Sequence, residues 1–388
     1  MRVGVMVFTA ITVFGALLGS SAGTAAEGER PGPAVRMPVD TVGYATAVHQ
    51  VEAVVALSDS VEHDRFVSLD REIAESGGGN MVAAICPHDD YLYAGPVYVH
   101  VMRHVRAPLV VLFGVSHAAR RRGIQGKLIF DSHRAWKGPY GETPVSGLRE
   151  AVIDALPQEV VLVSDELHGI EHSLEAFIPF LQYYERRNGD AIFREGSGAG
   201  ERRIEIVPIL VPRLAGSLFG STADTLAAVL SRAFKRSGAE LGRDVALLIS
   251  ADCVHYGDEK WGGRNYAPFG VDRAGYEKGV EQELDIIAGT LTGTLTGGRI
   301  AAFRERIDSG EFEWPYKVTW CGVYSIPFGL RVLVGLRELS GRGEPQGIML
   351  RQATSIDPGK IPLERTGLGV TNIGTLRHWV GYAGIGYW

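Results

Sequence analysis

Short, continuously apolar runs recur along the chain at residues 81–86, 109–113, 160–163, 204–211 and 246–250, with helix-patterned stretches between them. A strand covered on both faces needs apolar residues at every position rather than at every second one. The pattern therefore predicts an α/β fold, one domain with a largely parallel central sheet and helices on both faces. Within residues 173–184, Leu174, Phe177, Ile178, Leu181 and Tyr184 recur at three- and four-residue spacings, a helical stripe that Pro179 either kinks or restarts. Residues 223–234 and 276–291 are further helices by the same pattern. The Gly-, Arg- and Glu-rich stretch between Asn188 and Arg203 reads as a surface loop. No internal repeat and no second-domain linker is visible.

The first residues break this pattern. Arg2 precedes an apolar run from Val3 to Leu18, and small residues follow, with Thr24-x-Ala26 as a small-x-small cleavage site. The run is shorter than the roughly 20 residues of a bilayer-spanning helix. Residues 1–26 are thus expected to be a signal peptide, 27–45 a Pro/Gly-rich linker and 46–388 the α/β domain. The protein is expected to be exported, periplasmic or extracellular, with no stable membrane insertion after cleavage.

Composition narrows the partners. Lys+Arg 39 against Asp+Glu 45 gives a net charge of −6, so no basic field exists to draw in nucleic acid. Cys86, Cys253 and Cys321 are too few and scattered for a disulfide framework. Cys321, in an aromatic-rich stretch, reads as a small buried hydrophobe and Cys253 as a buried structural thiol.

The polar clusters are informative by position. Pro87-His88-Asp89-Asp90-Tyr91, Gly114-Val115-Ser116-His117 and Ala251-Asp252-Cys253-Val254-His255 each follow directly on an apolar strand. Ligand sites in open α/β sheets lie at the carboxyl ends of strands. Parallel strands would bring His88, His117, Asp252 and His255 to one rim, the geometry of a metal or acid/base site. His49, His63, His100, His104, His133 and His378 lack such context and are assigned to core or surface. Arg120-Arg121-Arg122 is either a solvated charge run or a greeting for an anionic substrate. His168-Gly169-Ile170-Glu171-His172 formally matches the H-x-x-E-H zinc-peptidase pattern, but Gly169 is unfavourable in the helix that pattern demands. His172 is better read as a rim residue ahead of the following helix.

Taken in order, Pro87-His88-x-x-Tyr91-x-Tyr93-x-Gly95, Gly114-x-Ser116-His117, Gly141-Glu142-Thr143-Pro144, Glu171-His172-Ser173-Leu174-Glu175, Ser250-x-Asp252-x-x-His255-Tyr256-Gly257 and Cys321-Gly322 resemble the Memo family, which includes the bacterial AmmeMemoRadiSam system protein B. The resemblance implies a fold like that of class III extradiol dioxygenases, whose iron is held by two histidines and a carboxylate. His88 and His117 match the family's metal histidines, and His172 its additional active-site histidine. Two positions depart. Val254 stands where some members carry a cysteine ligand directly before the motif histidine, and Asp89-Asp90 replace small residues. The third ligand is accordingly sought among Asp252, Asp89 and Asp90. The two added acids would complete a metal site, bind a cationic group or second metal, or cap a turn or helix.

The resulting expectation is an exported metalloprotein, a metal-dependent, dioxygenase-like enzyme for a small molecule, with a divalent transition metal (iron, copper or zinc). His88, His117 and Asp252 would hold the metal. His172, His255 and Asp252 would do acid/base or orienting work, and Asp89, Asp90, Tyr93 and Ser116 would line the substrate pocket, Tyr93 being equally a core aromatic. The rival readings are a non-catalytic binding protein for an acidic or phosphorylated ligand, and a metal-dependent hydrolase.

Overall fold

A computed structural model describes residues 34–75, 78–192, 203–214, 216–257, 265–308 and 317–388; the expected signal peptide lies outside them. In chain order the elements are β1 (Val35–Arg36), α1 (Val48–Val61), α2 (His63–Glu75), β2 (Ala83–Cys86), α3 (Tyr91–Met102), β3 (Leu109–Val115), α4 (His117–Arg121), β4 (Leu128–Phe130), β5 (Ala135–Gly138), β6 (Gly141–Pro144), α5 (Leu148–Ala155), β7 (Val161–Val163) and α6 (Asp165–Gly169). They continue with α7 (Ile178–Ile192), β8 (Glu205–Val211), α8 (Ser217–Ser237), β9 (Val245–Ser250), β10 (His255–Gly257), α9 (Arg273–Thr290), β11 (Gly293–Thr294), α10 (Gly297–Ile307), α11 (Ser325–Leu339), β12 (Gln346–Thr354) and β13 (His378–Tyr387).

The main sheet runs β11-β12-β13-β2-β9-β3-β8-β4-β7. Its centre, β2, β9, β3 and β8, is parallel throughout. On the flanks β13, β12 and β4 run antiparallel to their inner neighbours, so the sheet as a whole is mixed. The central runs are apolar at every position because both faces are covered. In β3, Val111 and Phe113 face one core and Val110 and Leu112 the other, while β9 divides Leu247 and Ile249 from Leu248 in the same way. Leu226 and Leu230 of α8, Phe303 of α10 and Leu333 of α11 fill the first core, and Val54 of α1, Val97 of α3 and Leu181 of α7 fill the second.

Helix α3 starts just past His88 and is buried along its whole length. Its internal Pro96 has no N–H to give to the Leu92 carbonyl. That carbonyl instead accepts the Ile361 N–H at 2.7 Å, which fastens a distant segment onto α3. Pro179 sits at the start of α7, after a 3-10 turn at Glu175–Phe177, so it marks a restart rather than a kink.

Residues 34–45 correct the expected linker. Val35–Arg36 pairs in parallel with Ala135–Trp136. Arg36 is buried, forms an ion pair with Glu175 at 2.6 Å, and stacks 4.2 Å over the Trp136 ring. The Glu175 carboxylate also accepts the Val39 and Asp40 amides. Composition read this stretch as linker because Pro and Gly precede it; the buried guanidinium makes it part of the domain. Among the described residues no helix is long and apolar enough to cross a membrane.

Helix α11 can lie close to the sheet because Gly329 faces β9: a Cβ there would stand 2.6 Å from Ile249 Cγ1. Gly329→Ala is expected to cost roughly 1–3 kcal/mol by overpacking. A lowered urea midpoint at unchanged slope would show it, and an unchanged midpoint would refute it.

Candidate metal centre

The parallel strands deliver their carboxyl ends to one edge, and the site begins there. His88 follows β2, and its backbone amide donates to Asp252 Oδ1 at 2.8 Å, just past β9. Ser250 Oγ donates to the Ser173 carbonyl at 2.5 Å and lies 2.8 Å from His88 Nδ1. With its single proton committed, that hydroxyl accepts from His88 Nδ1–H, leaving Nε2 as the bare nitrogen.

His117 opens α4 after β3. Its amide donates to Glu171 Oε2 at 2.7 Å and its Nδ1–H to Glu171 Oε1 at 2.8 Å. Glu171 Oε1 also accepts the His172 and Ser173 amides, each at 3.0 Å. Burial alone would raise the Glu171 carboxyl; the adjacent His117 charge and these donors outweigh it and hold it at about 2. Burial acts against a charged His117 too, but Glu171 and Cys321 raise its pKa well above the usual imidazole value. The second histidine is thereby fixed with Nε2 pointing away from Glu171.

Both Nε2 atoms meet Cys321. Its Sγ is 3.2 Å from His88 Nε2 and 3.3 Å from His117 Nε2. His88, His117 and Cys321 form one group whose ligand atoms all lie within 4.8 Å of one another, and Asp252, His255 and Cys321 form another. Two imidazole nitrogens and a thiol with a carboxylate alongside are a transition-metal donor set. Cys321 reaches this place through Gly322, where a Cβ would stand 2.3 Å from Ala251 Cβ, so the turn before α11 closes directly onto the end of β9. Reading Cys321 as a buried hydrophobe is therefore corrected. It lies on a separate turn far along the chain, and only tertiary packing sets it opposite the histidines. Cys253 is buried beside the first core, as expected.

The remaining groups surround this centre. Asp252 Oδ2 lies 3.4 Å from His88 Nε2 and 4.0 Å from His255 Nε2. Burial, first, and the neighbouring His117 charge press His255 down to about 4. His172 stacks on His117 with centroids 4.8 Å apart, and burial with the His117 charge lowers it as well. Both are neutral imidazoles at pH 7 and able to accept a proton. They line a cavity of about 280 Å³ together with His88, His117, Asp252, Asp89, Tyr93 and Tyr382.

Of the pocket residues expected from the sequence, Asp89 and Tyr93 line this cavity. Asp89 Oδ2 accepts the Tyr382 hydroxyl at 2.6 Å, and Tyr93 Oη accepts the Gly374 amide at 3.1 Å. Asp90 and Ser116 are not among the lining residues. Asp90 turns away to accept the Thr371 amide at 2.6 Å and is buried against Gly43, and the Ser116 carbonyl accepts the Ala119 amide in the first turn of α4. Asp90 thus anchors the 371–374 loop over the pocket, the turn-binding role that its residue type also allows. His168 is fully buried with Nε2 3.1 Å from the Ile129 carbonyl, and α6 ends at Gly169, so no zinc-peptidase pair forms. Glu171, Ser250 and Tyr44, whose hydroxyl donates to the His88 carbonyl, were not singled out as site residues. Glu171 stood inside a recognised motif, and Ser250 ended an apolar strand.

Comparison with known proteins now has a geometry to set it against. Residues 65–354 match the family model described as Memo-like protein. The chain belongs to the Memo family. Relatives include MEMO1 family proteins of Thermococcus kodakarensis (27% identical over 205 residues, 50% of this chain and 59% of the relative) and Aeropyrum pernix (32% over 191 residues, 47% and 58%). A third, from Methanosarcina barkeri, is 31% identical over 178 residues, 46% of this chain and 56% of the relative. The matched stretch thus spans somewhat over half the length of these relatives. It covers only about half of this Memo-family chain.

Glu171→Gln keeps the shape of the side chain but removes the charge that orients His117. Transition-metal affinity is expected to fall roughly 10–100-fold, read by competition with a chelating dye. The sign of the pH effect follows from the lowered carboxyl. Its stabilisation is full above about 4.5 and is lost as pH falls toward about 2. Denaturant midpoints of the wild type should drop across that window, and those of Glu171→Gln should drop less.

Proposed function

We propose that this Memo-family chain is an exported metal-dependent oxidoreductase acting on a small molecule. The observation that carries the reading is the convergence of His88 Nε2, His117 Nε2 and Cys321 Sγ at the edge of a half-open pocket. The donors fit a metal chemically: each histidine has its other nitrogen occupied as a donor, and Cys321 is a softer ligand than any carboxylate. Iron or copper held there by His88, His117 and Cys321 would supply redox and Lewis-acid chemistry. Zinc would fit the same donors and favour hydrolysis instead.

The chain's own residues would do the rest. Glu171 and Ser250 keep the two histidines in their ligating tautomers. Burial raises the Cys321 thiol and the neighbouring His117 opposes that rise; a metal held there would take the place of its proton. His172 and His255, held neutral, would take a proton from a substrate hydroxyl at the cavity wall. Asp252 supports His88 through its amide and faces His255, so it can ligate or orient. An acceptor of protons is of little use to a groove that only binds, which weighs against the binding-protein reading.

Metal analysis tests this first. The wild type recovered from the exported fraction should carry stoichiometric metal, and Cys321→Ser and the His88→Ala, His117→Ala pair should lose most of it. Oxygen uptake with catechols should accompany iron or copper. Hydrolysis without oxygen uptake would favour the hydrolase, and no metal in any form after reconstitution would return the binding-protein reading. Export is tested separately: N-terminal sequencing of the exported protein should begin at Glu27, and an intact chain starting at Met1 would refute cleavage.

A further inference from the structure

The pocket beside the metal centre has an uneven charge. Asp89 accepts the Tyr382 hydroxyl at 2.6 Å and the Asp90 amide at 2.7 Å. Two donors leave about half the acceptor capacity of a carboxylate open. No Lys or Arg lines the cavity among the described residues, and none pairs with Asp89. Nearby basic groups are committed elsewhere, His117 to Glu171 at 2.8 Å, Arg36 to Glu175 at 2.6 Å and Lys360 to Glu364 at 2.9 Å. Asp40, fixed by the Val42 and Gly43 amides at 2.8 Å each, adds further negative charge at the same end of the site.

A metal does not remove the imbalance. A divalent ion held by His88, His117 and Cys321 would be neutralised by the Cys321 thiolate and the adjacent Asp252 carboxylate. Asp89 would still lack a counter-charge, and a half-buried carboxylate carries a desolvation cost that pairing offsets. An anionic ligand would add to that cost, and a neutral one would leave it in place.

We propose that the substrate carries a protonated amine that pairs with Asp89 while its reactive end faces the histidines, an assignment of substrate class that rests on the small-molecule enzyme reading above. Asp89 is then a specificity residue, and Tyr382 holds its carboxylate in position. The Tyr93 hydroxyl accepts from Gly374 and keeps its own proton for the ligand, and Asn372 lines the same wall.

The test uses three probes of one shape, 2-phenylethylamine, 2-phenylethanol and phenylacetate, titrated into the purified chain at pH 7 by calorimetry or ligand-observed NMR. The amine is expected to bind at least about tenfold more tightly than the alcohol, as a charge-assisted hydrogen bond predicts, with phenylacetate weakest. Asp89→Asn should abolish the preference for the amine. Tyr382→Phe, which keeps the carboxylate but not the group that holds it, should weaken the preference without abolishing it. Wild-type protein stripped with a chelator should retain it as well, which separates pairing with Asp89 from nitrogen ligation of a metal. An amine bound no better than the alcohol, a preference that survives Asp89→Asn, or no binding by any probe overturns the proposal. The probes carry no diol and need no turnover. A chain that consumes oxygen only with neutral catechols would therefore refute the amine while leaving the oxidoreductase standing, and an amine-selective chain without metal would do the reverse.

Discussion

Residues 171–173 orient both histidines of the centre, and the arrangement of the site follows from them. Glu171, 3% exposed, has its charge satisfied by His117 and by two amides of its own segment. Ser173 draws the proton of Ser250 onto its carbonyl, which obliges that hydroxyl to accept from His88. One short stretch thus selects the tautomer of each ring and turns both Nε2 atoms toward Cys321. A buried carboxylate is tolerable only with such compensation, so the donors that stabilise Glu171 are the same ones that organise the centre.

That stretch is itself held from outside. Arg36 donates to the carbonyls of His168 and Glu171 and pairs with Glu175, bracketing the segment on both sides. The residues around Arg36 therefore belong to the site's support, and Tyr44, a few positions later, reaches the His88 carbonyl. The sheet supplies the other half of the construction. Parallel β2, β9 and β3 place His88, Asp252 and His117 at one edge, and antiparallel β13 brings Val380 and Tyr382 back over the same edge as a wall. A purely parallel sheet would have left that side of the pocket open.

Much of this was legible in the chain. Apolar runs at 109–113 and 246–250 could hardly be anything but strands covered on both sides, and polar residues placed immediately after them mark the ligand-bearing edge. His88, His117, Asp252 and His255 were found by that rule, and the structure brings all four to one cavity. The rule is blind to residues that arrive from turns. Cys321 follows no strand and was read as filler, though the Gly322 beside it is what lets the turn close onto β9. Asp89 and Asp90 are adjacent and chemically identical, yet one faces the cavity and the other ties down Thr371, a difference set by local backbone direction.

The sequence by itself determined the α/β class, the strands of the central sheet, the family and the histidines at its edge, because these depend on periodicity and on short contiguous motifs. Tertiary structure alone decided which thiol faces the two histidines, the partner that fixes each ring and the membership of residues 34–45 in the domain. Those depend on contacts such as Cys321 with His88 and Arg36 with Glu175, made between residues remote in the chain. Spacing along a sequence carries no record of which remote atoms packing and charge compensation will bring together.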